Sequence, residues 1–184
     1  MSEYQHYEFC SLKNPLSTEA RKEMGALSSR ANVGTHGASY VYNYGDFRGD
    51  PNKLLLKYFD VFFYTSNFGT LELMFKYPTK DVVIDELEKY HIDDVISCKK
   101  SGQYVVLAIR LDTEPGMDWK DGEGVLGDFL PLYNEIKAKN YQFLRLISAI
   151  NDEFMGEKEN PLKNFISTVK LSSAEKVFID HLGI

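Results

Sequence analysis

Residues 39–59 read SYVYNYGDFRGDPNKLLLKYF and combine a predicted strand, a polar loop and a helix. Tyrosines alternate with smaller side chains over 39–44, which is typical of a β-strand with one aromatic face. The Asp–Pro pair at 50–51 predicts a helix start, because Asp caps free amides and proline fits the first helical position. The leucines that follow have helical spacing. This order predicts a domain in which helices pack on a sheet.

Hydrophobic patterning outside this stretch predicts further strands and helices. The other strands are expected at 4–12, 61–65, 71–77, 95–99 and 104–111. Besides the helix of 50–59, helices are expected near 17–30, 79–90, 125–138, 140–153, 162–168 and 173–182, and 32–37 is expected to be a loop. The predicted fold is α+β: a mixed, largely antiparallel sheet of about six strands, with helices on one face and a helical C-terminal segment. Residues 1–123 form the sheet domain, and 124–184 pack on the same core as part of a single domain.

The composition favours a soluble globular protein without a nucleic-acid or membrane partner. Hydrophobic residues make up 43% of the chain, and its formal net charge is −6. Phosphate binding needs a basic surface, and the sequence shows no basic stripe. No apolar run is long enough to span a bilayer, and the N-terminus lacks a secretory signal, so we expect a cytoplasmic protein. Cys10 and Cys98 lie in separate apolar strand patterns and are expected to be buried, reduced thiols.

The polar loop and the strand before it supply the candidate ligand-binding residues, which are Tyr42, Tyr44, Asp46, Arg48 and Asp50. The loop brings two carboxylates and a guanidinium close to the free amides of a helix, which suits an anionic ligand. The alternative is structural: Asp50 caps the helix, Asp46 pairs with Arg48, and the two loop glycines allow positive φ.

The tyrosines of the strand also allow two interpretations. Tyr40, Tyr42 and Tyr44 fall on one face and could line a groove for a ring or a peptide, because tyrosine hydroxyls suit a partly wet binding surface. In the alternative interpretation, the long C-terminal helices cover this face.

Other motifs give weaker signals. Residues 122–127 match G-x-G-x-x-G, but an acidic loop precedes them and helix follows, whereas dinucleotide binding needs flanking strands. The 112–123 loop partly matches a calcium loop and lacks the required glycine; its acidic positions are Asp112, Glu114, Asp118 and Glu123. The histidines show no metal-ligand spacing, and a Cys–His dyad would form only through the fold. We therefore predict no metal site and no cofactor.

Several spaced motifs occur together in the chain: MSEYQHYEF at 1–9, LSSRA at 27–31, YNYGDFRGDP at 42–51, KYFD at 57–60 and SNFGTLELMFKYP at 66–78. They resemble a family of uncharacterised bacterial proteins that begin with a SEYQYYEF-like strand and carry a GDF(K/R)GDP loop and an ANWGTRRLMLRLP-like hairpin. The resemblance covers most of residues 1–150. It implies a shared fold, and no activity or catalytic residue comes with it. Phe68 and Glu72 stand where that family tends to have Trp and Arg.

For function, we predict a non-enzymatic binding or interaction module, because every catalytic motif has a stronger structural explanation. Such a module would present a groove or an exposed apolar patch near the 40–50 edge, for a protein or small-molecule partner. The second hypothesis is a small hydrolase or transferase that acts on an anionic substrate at Asp46, Arg48 and Asp50. It requires these side chains to converge on one cleft, with one carboxylate free of capping. Exposed strand edges would also allow a homodimer.

Overall fold

The computed structural model describes residues 3–113, 120–156 and 158–184. In these ranges the strands are β1 (Gln5–Cys10), β2 (Asn32–Val33), β3 (Gly37–Tyr42), β4 (Val61–Ser66), β5 (Thr70–Pro78), β6 (Ile96–Ser101) and β7 (Tyr104–Asp112). The helices are α1 (Thr18–Ala26), α2 (Pro51–Tyr58), α3 (Ile84–Glu88), α4 (Leu126–Lys137), α5 (Gln142–Met155), α6 (Pro161–Thr168) and α7 (Ser173–Leu182). The predicted α+β class and the helical C-terminal segment are confirmed.

All seven described strands form one sheet in the order β2-β3-β1-β4-β5-β7-β6, and every neighbouring pair is antiparallel. The sequence predicted a mixed sheet of about six strands, because two strand–helix–strand steps usually place parallel strands side by side. Here β3 and β4 do run parallel, but β1 lies between them, and β7 lies between β5 and β6 in the same way. The additional strand, β2, has only two residues within the predicted loop.

One side of the sheet, which we call the helical face, is covered by helices that follow β5. Its strands supply large apolar side chains, and α4, α5 and α7 pack against them to form the larger core. Fully buried members of this core include Phe63, Phe75, Leu107, Ile109, Phe129, Phe143, Leu144, Ile147 and Phe178. The C-terminal helices and the sheet therefore share one core.

The opposite side, which we call the mixed face, holds a smaller core beneath α1 and α2. The prediction placed helices on one face, whereas the structure has them on both. The reason lies in β4, where Phe62 and Phe63 are both buried although they point to opposite sides. Both sides of the central strands therefore need cover. Toward β5 and β7 the same face carries three charged residues, Glu72, Lys76 and Arg110, and Glu72 lies directly opposite Arg110 in the register.

The two cysteines are unpaired, as expected, but each is half-buried rather than fully buried. Burial raises the pKa of the Cys98 thiol to about 11 and also raises the pKa of Cys10. Both thiols are therefore protonated at neutral pH and are poor nucleophiles.

Candidate functional site

Asp50 caps the start of α2. Its side chain accepts a hydrogen bond of 3.1 Å from the Lys53 amide, and Pro51 occupies the first helical turn. The Lys53 amide holds the pKa of Asp50 below its ordinary value. The Lys53 ammonium adds an exposed ion pair at 3.4 Å. The carboxylate is thus engaged in capping, as the structural alternative predicted.

The loop before α2 sends Asp46 and Arg48 in different directions. Phe47 lies between them and packs into the mixed face, with its ring centroid 4.8 Å from that of Tyr7. Gly49 leaves room for this ring, because a Cβ there would lie 2.7 Å from Phe47 Cε1. Among the described residues, Asp46 forms no ion pair with Arg48, so the expected pairing is absent. The two side chains line separate cavities.

The three tyrosines of β3 and the following loop also differ in environment. Tyr40 is fully buried, and its hydroxyl donates to the Met24 carbonyl at 3.0 Å. Helix α1, rather than the C-terminal helices, covers it. Tyr42 is half-buried, and 78% of Tyr44 is exposed. Only Tyr42 and Tyr44 are therefore accessible to a partner.

An unpaired length of strand lies beside these two tyrosines. Even-numbered residues of β3 hydrogen-bond to β1, since the Gly37 carbonyl points the other way and accepts from Gly34 at 2.9 Å. Val41 has the same parity as Gly37, so its N–H and C=O also point outward. Strand β2 pairs with β3 only as far as Ser39, and no described strand pairs with Val41 on this outer side; on the inner side Val41 lies opposite His6 of β1. The outer edge of β3 is therefore open at this residue.

A cavity of about 270 Å³ flanks this open backbone. We call it the edge groove, and its lining residues are Ser28, Ser29, Arg30, Val41, Tyr42, Tyr44 and Arg48. Arg30 and Arg48 are both exposed. No Asp or Glu of the described chain lines the groove, so its local charge is positive in a chain whose formal charge is −6. It offers a backbone donor and acceptor, two guanidiniums and two phenol rings.

Asp46 lies in a second cavity, of about 330 Å³, on the mixed face. We call it the Asp46 cavity; it is lined by Gln5, Tyr7, Asp46, Pro51, Phe62, Tyr64, Phe68, Thr70, Glu72 and Arg110. The Gln5 side chain orders one wall, because its Oε1 accepts from the Tyr7 hydroxyl at 2.7 Å and from the Tyr64 hydroxyl at 3.1 Å. Sequence reasoning missed this cavity, since its residues come from four strands, the start of α2 and two connecting segments.

A third cavity, of about 380 Å³, contains a buried lysine that sequence reasoning also missed. The Lys76 ammonium donates to the Leu55 carbonyl at 3.0 Å, near the end of α2, and lies 4.9 Å from the Tyr104 ring centroid. Burial lowers the pKa of Lys76, and Asp60 at 3.9 Å opposes this shift. Lys76 thus stabilises the last turn of α2. The alternation of 71–77 indicates its face but not the helix end that it meets.

The described residues contain no group of three His, Cys, Asp or Glu side chains that could hold a metal ion. Two residues of the calcium-loop motif, Glu114 and Asp118, lie outside the described ranges. None of the described helices is long and apolar enough to cross a membrane. Comparison with protein-family models, curated proteins and solved structures gives no match, so the interpretation of these sites depends on their geometry.

Proposed function

We propose that the chain is a non-enzymatic binding module that captures an extended acidic segment of a partner protein at the edge of β3. The observation that carries the proposal is the outward N–H and C=O of Val41 beside a groove with two arginines. An added strand would exchange main-chain hydrogen bonds with Val41, which is a common mode of peptide recognition.

The charges of the edge groove favour an acidic segment over a neutral or basic one. Arg30 and Arg48 can each donate paired hydrogen bonds to a carboxylate. With no carboxylate of the described chain among the lining residues, both guanidiniums are available to a ligand. Because both arginines are exposed, we expect the interaction to weaken as salt rises.

The aromatic side chains supply the apolar part of the contact. Tyr44 is one of the most exposed large side chains, and Tyr42 forms the adjacent wall. Tyrosine is enriched at protein interfaces because its ring buries apolar area while its hydroxyl bonds to polar groups. These two rings therefore support the proposal of a binding surface near the 40–50 edge.

Fluorescence polarisation with short labelled peptides tests the proposal. We expect a peptide that alternates glutamate with valine to bind at low salt, and its lysine–valine counterpart to bind far more weakly. Arg48→Ala should reduce the affinity at least about tenfold, because a charge-assisted hydrogen bond contributes roughly 1.5–3 kcal/mol. Lys53→Ala is the matched control, since Lys53 is an exposed cation outside the groove.

A third peptide separates strand addition from simple charge attraction. Methylation of alternate backbone nitrogens removes the donors that a strand needs and leaves the glutamates in place. We expect this peptide to bind poorly. Equal binding of the methylated and unmethylated peptides would contradict pairing with Val41, and equal binding of the glutamate and lysine peptides would contradict the role of the arginines.

The hydrolase or transferase hypothesis has less support. It needs Asp46, Arg48 and Asp50 in one cleft, whereas Asp50 caps α2 and the other two line separate cavities. The binding module also fits our proposal of a cytoplasmic protein, because half-buried free thiols persist in a reducing compartment.

A further inference from the structure

We infer that Glu135 and Glu175 share one proton, and that this proton holds the start of α7 against α4. The inference rests on two buried carboxylate oxygens, one on each residue, that have no hydrogen-bond partner among the described residues. A single hydrogen between them would satisfy both atoms. The device is separate from the peptide site at β3, so neither proposal depends on the other.

Glu175 is a fully buried carboxylate in the first turn of α7. Its Oε2 accepts hydrogen bonds from the Ser172 amide at 2.8 Å and from the Gln142 side chain at 2.7 Å. Its Oε1 is buried and meets no donor in the described part of the chain. A buried acceptor without a donor costs free energy, so this oxygen is expected to have a partner.

Glu135, on the neighbouring helix α4, is half-buried and has a similar orphan oxygen. Its Oε2 is buried and has no partner among the residues that the structure describes. Burial raises the pKa of Glu135, the charge of Glu175 raises it further, and the Ser172 hydroxyl opposes both effects. Two neighbouring carboxyl groups retain a proton because both cannot ionise without a compensating charge. A proton on Glu135 Oε2 can be donated to Glu175 Oε1, which supplies both missing partners.

The surroundings supply no cation that could replace this proton. No described Lys, Arg or His forms an ion pair with either glutamate. Helix α5 contributes a neutral amide, and no described group of three carboxyl, thiol or imidazole side chains could hold a metal ion. The other titratable groups of these elements are engaged elsewhere or exposed: Lys137 with Asp81, Lys139 and Tyr141 with Glu86, and Lys176 in solvent.

The shared proton makes the docking of α7 sensitive to alkaline pH. Its stabilising contribution is complete below about pH 4.3, the pKa of an unfolded glutamate, and is lost as the pH rises through the higher pKa of folded Glu135. Above that pKa, two negative charges remain at the contact between α4 and α7. Since α7 places Phe178 in the larger core, its release would expose apolar surface.

The first test is an NMR titration of the wild-type protein between about pH 4 and about pH 9. The Glu135 carboxyl carbon, assigned through its own side chain, should titrate above about pH 4.3, the ordinary glutamate value. This measurement needs no variant, so it decides the question even if a substitution prevents folding. A Glu135 carboxyl that titrates at or below the ordinary value would overturn the inference.

The second test compares hydrogen exchange of the α7 amides in wild type and Glu135→Gln at equal pH. Glutamine has nearly the same shape and donates an amide hydrogen to Glu175 Oε1 at every pH. Relative to this variant, α7 of the wild type should exchange faster as the pH rises, by up to about tenfold for each pH unit between the two pKa values of Glu135.

Two features make this comparison specific. At equal pH the intrinsic exchange rate and the titration of His181 are common to both proteins and cancel. Glu88→Gln, which changes an exposed glutamate of α3, should match wild type, and Glu135→Gln should leave peptide binding at β3 unchanged. The same pH profile of α7 exchange in wild type and folded Glu135→Gln would contradict the shared proton.

Discussion

The two sides of the sheet differ in how completely they are covered. On the helical face, apolar side chains of the strands meet apolar side chains of α4, α5 and α7, and most of the described core residues are fully buried. On the mixed face, α1 and α2 cover only the aromatic cluster around Phe9, Tyr40 and Phe62. Glu72 of β5 and Arg110 of β7 lie outside that cover and line the Asp46 cavity.

This difference separates stability from recognition. A dry interface of apolar residues contributes most to the free energy of folding and offers no group to a ligand. Charged and phenolic groups at a partly covered surface contribute less to folding and can exchange water for a ligand. We therefore expect substitutions on the helical face to change stability, and substitutions at the β3 edge to change binding.

The largest expected effect comes from a cavity in the helical core. Phe143→Ala should lower the free energy of unfolding by about 3–5 kcal/mol, because the ring is fully buried and the surrounding helices cannot close the space. Phe47→Ala, in which the ring is half-buried on the mixed face, should cost less, about 1–3 kcal/mol. Urea denaturation measures both, and an equal loss would remove the contrast between the faces.

The next effect is a pH dependence that arises on the helical face. His181 packs between Phe63 and Phe129, and burial lowers its pKa to about 4. The unfolded chain, with an ordinary histidine pKa near about 6.5, then binds more protons between these two values. The stabilising contribution is therefore complete above about pH 6.5 and declines as the pH falls toward 4, by at most about 3 kcal/mol.

Substitution of His181 isolates this contribution. His181→Phe should flatten the stability profile across that pH window, because a phenyl ring has no proton to gain. Denaturant midpoints of both proteins across the window provide the measurement. If the variant retained the wild-type slope, other groups would be responsible for it.

A smaller effect is expected from the cap of α2. Asp50→Ala should destabilise the protein by about 1 kcal/mol, because the Lys53 amide loses its acceptor. Asp46→Ala removes a nearby exposed carboxylate that caps no helix, so it should stay within about 0.5 kcal/mol of wild type. Peptide binding should survive both changes. A loss of peptide binding in Asp50→Ala would indicate that the Asp50 carboxylate takes part in binding.

The sequence indicated the local elements better than the relations between them. The Asp50–Pro51 pair predicted a helix start, and the structure has both the cap and the helix, because capping involves only neighbouring residues. The prediction that Asp46 pairs with Arg48 was wrong. Phe47 lies between them and packs against Tyr7, so the two charged side chains point in different directions. Short spacing in sequence does not guarantee contact in a loop.

The sites themselves depend on strand order, which the sequence left open. The alternation of 39–44 shows that Val41 and Tyr42 face opposite sides, but not that β2 stops short of Val41. Glu72 and Arg110 are also far apart in the chain and become neighbours only through the pairing of β5 with β7. The strand residues that line the Asp46 cavity thus come together only through the pairing of β1, β4, β5 and β7.

Hydrogen exchange at two neighbouring amides tests the central claim most directly. The Tyr40 amide belongs to the ladder with β1, whereas the Val41 amide points outward at the free edge. By NMR, the free protein should therefore show slow exchange at Tyr40 and fast exchange at Val41, and saturating glutamate–valine peptide should slow Val41 alone by about tenfold or more. A Val41 amide that is already protected in the free protein, or one that the bound peptide leaves unchanged, would contradict strand addition at β3.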